Sequence, residues 1–260
     1  MAASTSRSPS RSATRPAPRQ GPRLGEAFRT ALREFYFNSW RLVPANLAWG
    51  ACLVGLYLAS LLSPLLALAC LPLLALPTVG VERLAALVAR GEPASLGDAF
   101  GAWRTFGGTA LAIGVAATVG AAVFVTNVGI GVATGNAVGW ALATLAAWGL
   151  TVGGMFLLVA WPLLVDPWRS DLPVRSRLRL AALLVLAHPV RIAGLGLAIG
   201  VILVASTIAF AALVMVSLAY VALVAALYLL PAADRLEAQL DGIVRAAPDD
   251  GSIDDLEAEA

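Results

Sequence analysis

The stretch that decides the fold is Ile192 to Ala233, IAGLGLAIGVILVASTIAFAALVMVSLAYVALVAALYLLPAA, forty-two residues without a charged side chain. As one straight helix at ~1.5 Å per residue it would reach about 63 Å, roughly twice the ~30 Å hydrocarbon core of a bilayer. It is therefore expected to cross a membrane, turn and return. Two more charge-free runs, Leu42 to Val81 and Thr105 to Val165, pose the same geometric problem. The expected fold is all-α: a polytopic membrane bundle of six transmembrane helices arranged as three hairpins, with short interfacial helices between them.

Composition agrees with that reading. Of 260 residues, 59% are hydrophobic and 13% charged, and the apolar residues lie in long blocks, the pattern of a membrane chain rather than of a soluble core. The net charge of +2 hides strong segregation. Met1 to Arg41 carries +6, Glu82 to Arg104 balances at zero, Asp166 to Arg191 carries +3 and Asp234 to Ala260 carries −7. Every basic residue is Arg, which points first to a base-composition bias in the genome. Cys52 and Cys70 stand alone and read as buried apolar thiols. With one His in the chain, no metal site and no cofactor are expected.

Residues 1–23 form an Arg-, Pro- and Ser-rich arm in which Pro9, Pro16, Pro18 and Pro22 oppose a helix. Its Arg7, Arg11, Arg15, Arg19 and Arg23 can bind anionic lipid headgroups or simply hold the N-terminus in the cytoplasm. The membrane domain is expected over 24–230 and an acidic, flexible cytoplasmic tail over 231–260. Leu24 to Trp40 reads as an interfacial helix with Leu24, Phe28, Leu32 and Phe35 on one stripe. The first hairpin turns near Ser63-Pro64, and Pro72 and Pro77 predict a broken second arm. Ser95 and Asp98 form a capping pair ahead of Leu96, Phe100 and Trp103, read as a second surface helix. The next hairpin turns within Thr126 to Gly139. Pro173 to His188 is short for a span and is placed at the inner surface or partly re-entrant. The last turn falls within 206–215, and Pro231 ends the final span.

With the N-terminus inside and two crossings per hairpin, both termini are cytoplasmic and every Arg falls on one side, as the positive-inside rule asks. The spans contain no Asp, Glu, Lys, Arg or His, which argues against a proton-driven pump. No nucleic-acid partner is expected, and no catalytic constellation is visible. His188 precedes Pro189 with no nucleophile beside it. Candidate binding residues are Asn46 and Trp49 on the first span, Thr78 and Gly80 after Pro77, and His188 with Arg191. Glu82 is placed at the inner surface, paired with Arg104 or Arg191.

The segments Trp40-Arg41-Leu42-Val43-Pro44-Ala45-Asn46-Leu47-Ala48-Trp49 and Leu76-Pro77-Thr78-Val79-Gly80 carry a resemblance. So do Arg90-Gly91-Glu92, Asp98-Ala99-Phe100, Trp103-Arg104 and His188-Pro189-Val190-Arg191. Over roughly Leu24 to Leu230 the chain resembles the YesL-like family of bacterial membrane proteins, a group of unknown biochemical function. The sequence departs from that pattern at Val81-Glu82. The resemblance implies a multispan protein of the bacterial inner membrane, some members lying beside carbohydrate-uptake systems, and it brings no catalytic residues.

Three functions remain open at this level. One is a non-enzymatic accessory or regulatory partner of a carbohydrate-uptake permease. Another is a transport component, a passive carrier or channel-like permease, with Asn46, Thr78 and Asn127 along a polar path. A third is a membrane enzyme joining His188 to Asp166 or Glu82. The topology itself makes a prediction: compartment reporters fused to the two ends should read out on the same side of the membrane, and opposite sides would refute three return crossings.

Overall fold

The structure, a computed structural model, describes residues 22–246. Arg7, Arg11, Arg15, Arg19 and the acidic residues beyond 246 lie outside the described residues. Among those described, the chain is helical throughout. Six helices are long and apolar enough to cross a membrane.

α1 runs from Leu24 to Leu62, thirty-nine residues, with Pro44 inside it. At ~1.5 Å per residue that is about 58 Å. The expected interfacial helix over Leu24 to Trp40 is thus the leading half of α1, not a separate element. Of its expected stripe, Leu24, Phe28 and Phe35 pack against the core while Leu32 is exposed. Phe28 and Phe35 lie 6.4 and 6.2 Å from the Tyr220 ring, and Ala27 and Ala31 are buried beside them. The Tyr220 hydroxyl also donates to the Phe28 carbonyl at 3.3 Å. The helix does not stop because the backbone ladder is the cheapest way to satisfy peptide groups in apolar surroundings, and one proline removes a single donor from it.

Ser63, extended at φ −161°, breaks the chain between α1 and α2 (Pro64–Cys70), where Pro64 opens the new helix. A 3-10 turn over Leu71–Leu74 holds Pro72, and α3 (Ala75–Arg90) begins with Pro77 in its first turn. The expected break in this arm is present. α3 ends at Gly91, whose φ of +72° suits a residue without Cβ, and the Glu92 N–H reaches back to the Leu87 carbonyl at 2.9 Å.

α4 (Leu96–Thr134) starts at the expected Ser95–Asp98 cap, where the Asp98 carboxylate accepts from the Ser95 N–H at 2.8 Å and its hydroxyl at 2.7 Å. It then runs unbroken for thirty-nine residues, so the second expected surface helix is the first turns of a helix long and apolar enough to cross a membrane. Gly135 at φ +66° turns the chain into α5 (Ala137–Val165). Here α4 and α5 nearly touch: a Cβ on Gly131 would lie 2.3 Å from the Gly139 carbonyl oxygen. After a 3-10 turn at Pro167–Arg169 comes α6 (Val174–Ala187). It is a separate short helix, as expected, seated on α5 and α9 through Leu180, Ala181 and Leu184.

α7 (Pro189–Ile208) leads through Ala209 into a short turn, α8 (Phe210–Ala212), and a π turn, Leu213–Ser217, before α9 (Leu218–Ala246). The turn falls inside 206–215 as expected, but Pro231 does not end α9, which continues fifteen residues past it. The third pair is also splayed: α9 packs on α3 and α1, and α7 meets it mainly through the π turn. α9 is the central helix, with 56% of its span window buried against 11% for α1 and α4. Neither cysteine is the buried thiol expected: Cys52 is exposed on the bundle surface and Cys70 is half-buried.

Asn46 decides how α1 meets α9. Fully buried, its amide donates to the Val214 carbonyl and accepts from the Ala219 N–H, both at 2.7 Å. Those two groups would pair with each other across one i→i+5 step, so the side chain occupies a gap the π turn opens. One turn further on, Gly50 gives Val214 room: a Cβ there would stand 2.4 Å from Val214 Cγ1 and 2.7 Å from its carbonyl oxygen.

Two substitutions test this contact by thermal unfolding in detergent. Asn46→Leu should cost about 1–3 kcal/mol by stranding two backbone groups, and Gly50→Val a similar ~1–3 kcal/mol by overpacking. Gly55→Ala on the same helix meets nothing within 4 Å and should be neutral or slightly stabilising.

Candidate functional site

The sites proposed from sequence fall into two groups. Asn46, Trp49, Thr78 and Gly80 sit at helix contacts. Trp49 Nε1 donates to the Thr78 hydroxyl at 3.1 Å, and that hydroxyl donates to the Leu74 carbonyl at 2.7 Å. The second bond answers a backbone acceptor beside the Pro72–Pro77 break. Gly80 lets α4 approach: a Cβ would lie 2.6 Å from Trp103 Nε1. Asn127 is exposed on the bundle surface. These residues therefore do not line one shared polar path.

Glu82 does not pair with Arg104 or Arg191. Its carboxyl is buried, 6% exposed, and Oε2 has no hydrogen-bond partner among the described residues. The helix carries on for two turns past it, to Arg90, which places Glu82 inside the packed α3 face rather than at its end.

The charges that do meet lie where α3, α5 and α9 converge. They are Asp166, expected from sequence only as an acid for His188, and Arg90, Arg169, Asp234 and Glu237, which were not candidates. Asp166, which follows α5, is fully buried and grips Arg90 through two contacts, Nε at 3.0 Å and Nη2 at 2.6 Å. Arg90 also holds both oxygens of Asp234 on α9, at 2.6 and 3.0 Å. Arg169 donates to the same Asp166, to Asp234 at 2.6 Å and to Glu237 at 3.1 Å. The Arg90 guanidinium lies over the Trp168 ring at 4.0 Å. Bidentate forks of this kind fix geometry as well as energy.

Two further arginines close the same region without using carboxylates. Arg83 donates to the Val165 carbonyl at 2.6 Å, the last residue of α5. Arg177 is 4% exposed and donates to three carbonyls, those of Leu164, Leu172 at 3.0 Å and Ser170 at 2.7 Å. Both place positive charge at a helix C-terminus, where orphan carbonyls and the macrodipole favour it. Burial outweighs the nearby Asp166 charge and pulls the Arg177 pKa below its ordinary value, but such a group stays protonated.

His188 and Arg191, in contrast, do come together, beside Arg23. They line a cavity of about 280 Å³ that also takes in Tyr228 and Arg235. His188 is forced into its place by its own position, closing α6 and opening α7 ahead of Pro189. Its Nδ1 is buried and unpartnered. Neither Asp166 nor Glu82 lines this cavity, so the acid that an enzymatic reading of His188 asked for is elsewhere. Among the described residues no group of three or more His, Cys, Asp and Glu is placed to hold a metal ion.

Charge distribution was the one signal for the buried ion cluster. The segment from Asp234 onward is acidic and the one from Asp166 to Arg191 is basic, which predicts attraction between them without saying which residues meet.

Comparison with known proteins finds no matching family model, no similar curated protein and no similar solved structure.

Asp166→Asn tests the cluster. It leaves shape almost unchanged but removes the buried charge that Arg90 and Arg169 share, leaving them to Asp234 and Glu237. Weakening charged hydrogen bonds in this way should cost about 1.5–3 kcal/mol. The unfolding midpoint in detergent should fall accordingly, whereas Arg179→Gln, at an exposed position, should leave it in place.

Proposed function

We propose that the chain is a six-span integral protein of the bacterial inner membrane, with both termini in the cytoplasm, acting without catalysis as an accessory or regulatory partner of a permease. The observation that carries this reading is how the interior polar groups are used. Asn46, Thr78, Arg83, Arg177 and Asp166 are all engaged with backbone or with opposite charge, which makes the bundle a rigid body suited to presenting a surface. The orientation is supported by the turns at Ser63, Gly135-Asn136 and Ala209, which carry no charge, while the arginines gather at the other helix ends. The carbohydrate link rests on the family resemblance alone. A carrier or channel in its own right stands second, because Asn46 and Thr78 are committed to helix contacts.

The test is purification of a tagged chain from its native membrane in mild detergent. A permease subunit retained in stoichiometric amount through gel filtration is the expected result. A monodisperse chain with no permease, under conditions that keep other membrane complexes intact, would overturn the accessory role.

A further inference from the structure

The cavity around His188 has chemistry that the accessory role does not use. Arg23, Arg191 and Arg235 line it together with His188, and no carboxylate does. Arg191 is exposed, and among the described residues it forms no ion pair. Arg235 spends only its Nε, on the Pro231 carbonyl at 3.2 Å, which leaves its Nη donors free to turn inward. The floor is apolar, from Leu184, Ile192 and Leu229, all of them buried. α7 begins at the cavity wall, so its amino end adds positive potential.

Three arginines line one cavity, and the Glu26 carboxylate that accepts from the Arg23 N–H at 3.0 Å is outside the lining, so an anion in the cavity would relieve their mutual repulsion. Guanidinium forks match phosphate oxygens in particular. His188 lines the cavity beside them, with its Nδ1 closed off and without a partner among the described residues. At about 280 Å³ the cavity lies just under the ~300–1,000 Å³ of whole small-molecule sites, large enough for a phosphate headgroup and the first carbons behind it.

The geometry points to a binding site for the phosphate monoester headgroup of an anionic membrane lipid, held by Arg23, Arg191, Arg235 and His188. A lipid is favoured over a soluble phosphate because the floor is apolar and because α7 starts its crossing here. That last point rests on the membrane reading above but not on any permease.

The probe is dioleoyl phosphatidic acid in dodecyl maltoside micelles, with dioleoyl phosphatidylcholine as the neutral control and glycerol 3-phosphate as the soluble one. Bound lipid is counted by native mass spectrometry, and affinity is read from the shift in unfolding temperature against lipid concentration. The expected result is one phosphatidic acid retained per chain, with no comparable retention of either control. Arg191→Gln should weaken binding about tenfold and Arg191→Gln with Arg235→Gln about a hundredfold, while Arg191→Lys, which keeps the charge but loses the fork, should fall between wild type and Arg191→Gln. Arg179→Gln, an exposed arginine outside the cavity, should change nothing.

Equal losses from Arg179→Gln and Arg191→Gln would reveal a diffuse basic surface and overturn the site. Equal binding of glycerol 3-phosphate would overturn the lipid assignment. Binding that appears only when residues 247–260 are deleted would mark that acidic segment as the occupant and overturn it too. Since binding is read in micelles, a wrong orientation or a missing permease would leave these outcomes unchanged.

Discussion

One buried carboxylate holds the convergence of three helices in register. Asp166 has no exposure to solvent and is gripped by Arg90 from α3 and Arg169 from the turn after α5. Asp234 and Glu237 of α9 complete the set. Asp166, Arg90 and Arg169 have been taken out of water, while Asp234 and Glu237 keep part of their surface, and attraction at hydrogen-bond distance offsets the cost of burial. If α9 slid by a turn, Asp234 would leave both arginines, and one carboxylate, Asp166, would be left to balance two buried guanidinium groups. Arg83 and Arg177 reinforce the same point by capping the end of α5.

Further along the bundle the same logic works with neutral groups. Asn46 completes a backbone gap in the π turn ahead of α9, and Gly50 lets the two helices close around it. Between helices in an apolar solvent there is little hydrophobic gain from association, so small residues and side-chain hydrogen bonds carry the contact. α9 is thus fixed at two places, by an amide where it begins and by ions toward its other end. This explains why it, and not one of the longer helices, forms the centre.

The cationic cavity departs from this economy in another way. Glu82 Oε2 and Trp103 Nε1 are single buried atoms left without a partner among the described residues, whereas Arg23, Arg191, Arg235 and His188 share one cavity that no carboxylate lines. Local departures from internal satisfaction are expected at sites that serve something other than folding. The residues of this cavity come from the starts of α1 and α7, the end of α6 and the second half of α9, so no short motif in the chain announces it.

What could be read along the chain was whatever depends on local order. The six apolar helices, the break at Pro72, the Ser95–Asp98 cap and the turns at Ser63 and within 206–215 follow from hydropathy, proline and capping chemistry acting over a few residues. Helix continuity was less legible: Leu24 to Trp40 and the stretch from Leu96 to Trp103 read as separate surface helices, yet the backbone ladder runs on past both, because side-chain polarity alone does not end a helix. Contacts between distant segments were not legible at all. That Phe28 and Phe35 face Tyr220, that Asp166 meets Arg90, and that His188 shares a cavity with Arg23 depend on how the helices cross. Crossing is decided by side-chain packing in three dimensions, for which the order of residues along one helix supplies only half of each contact.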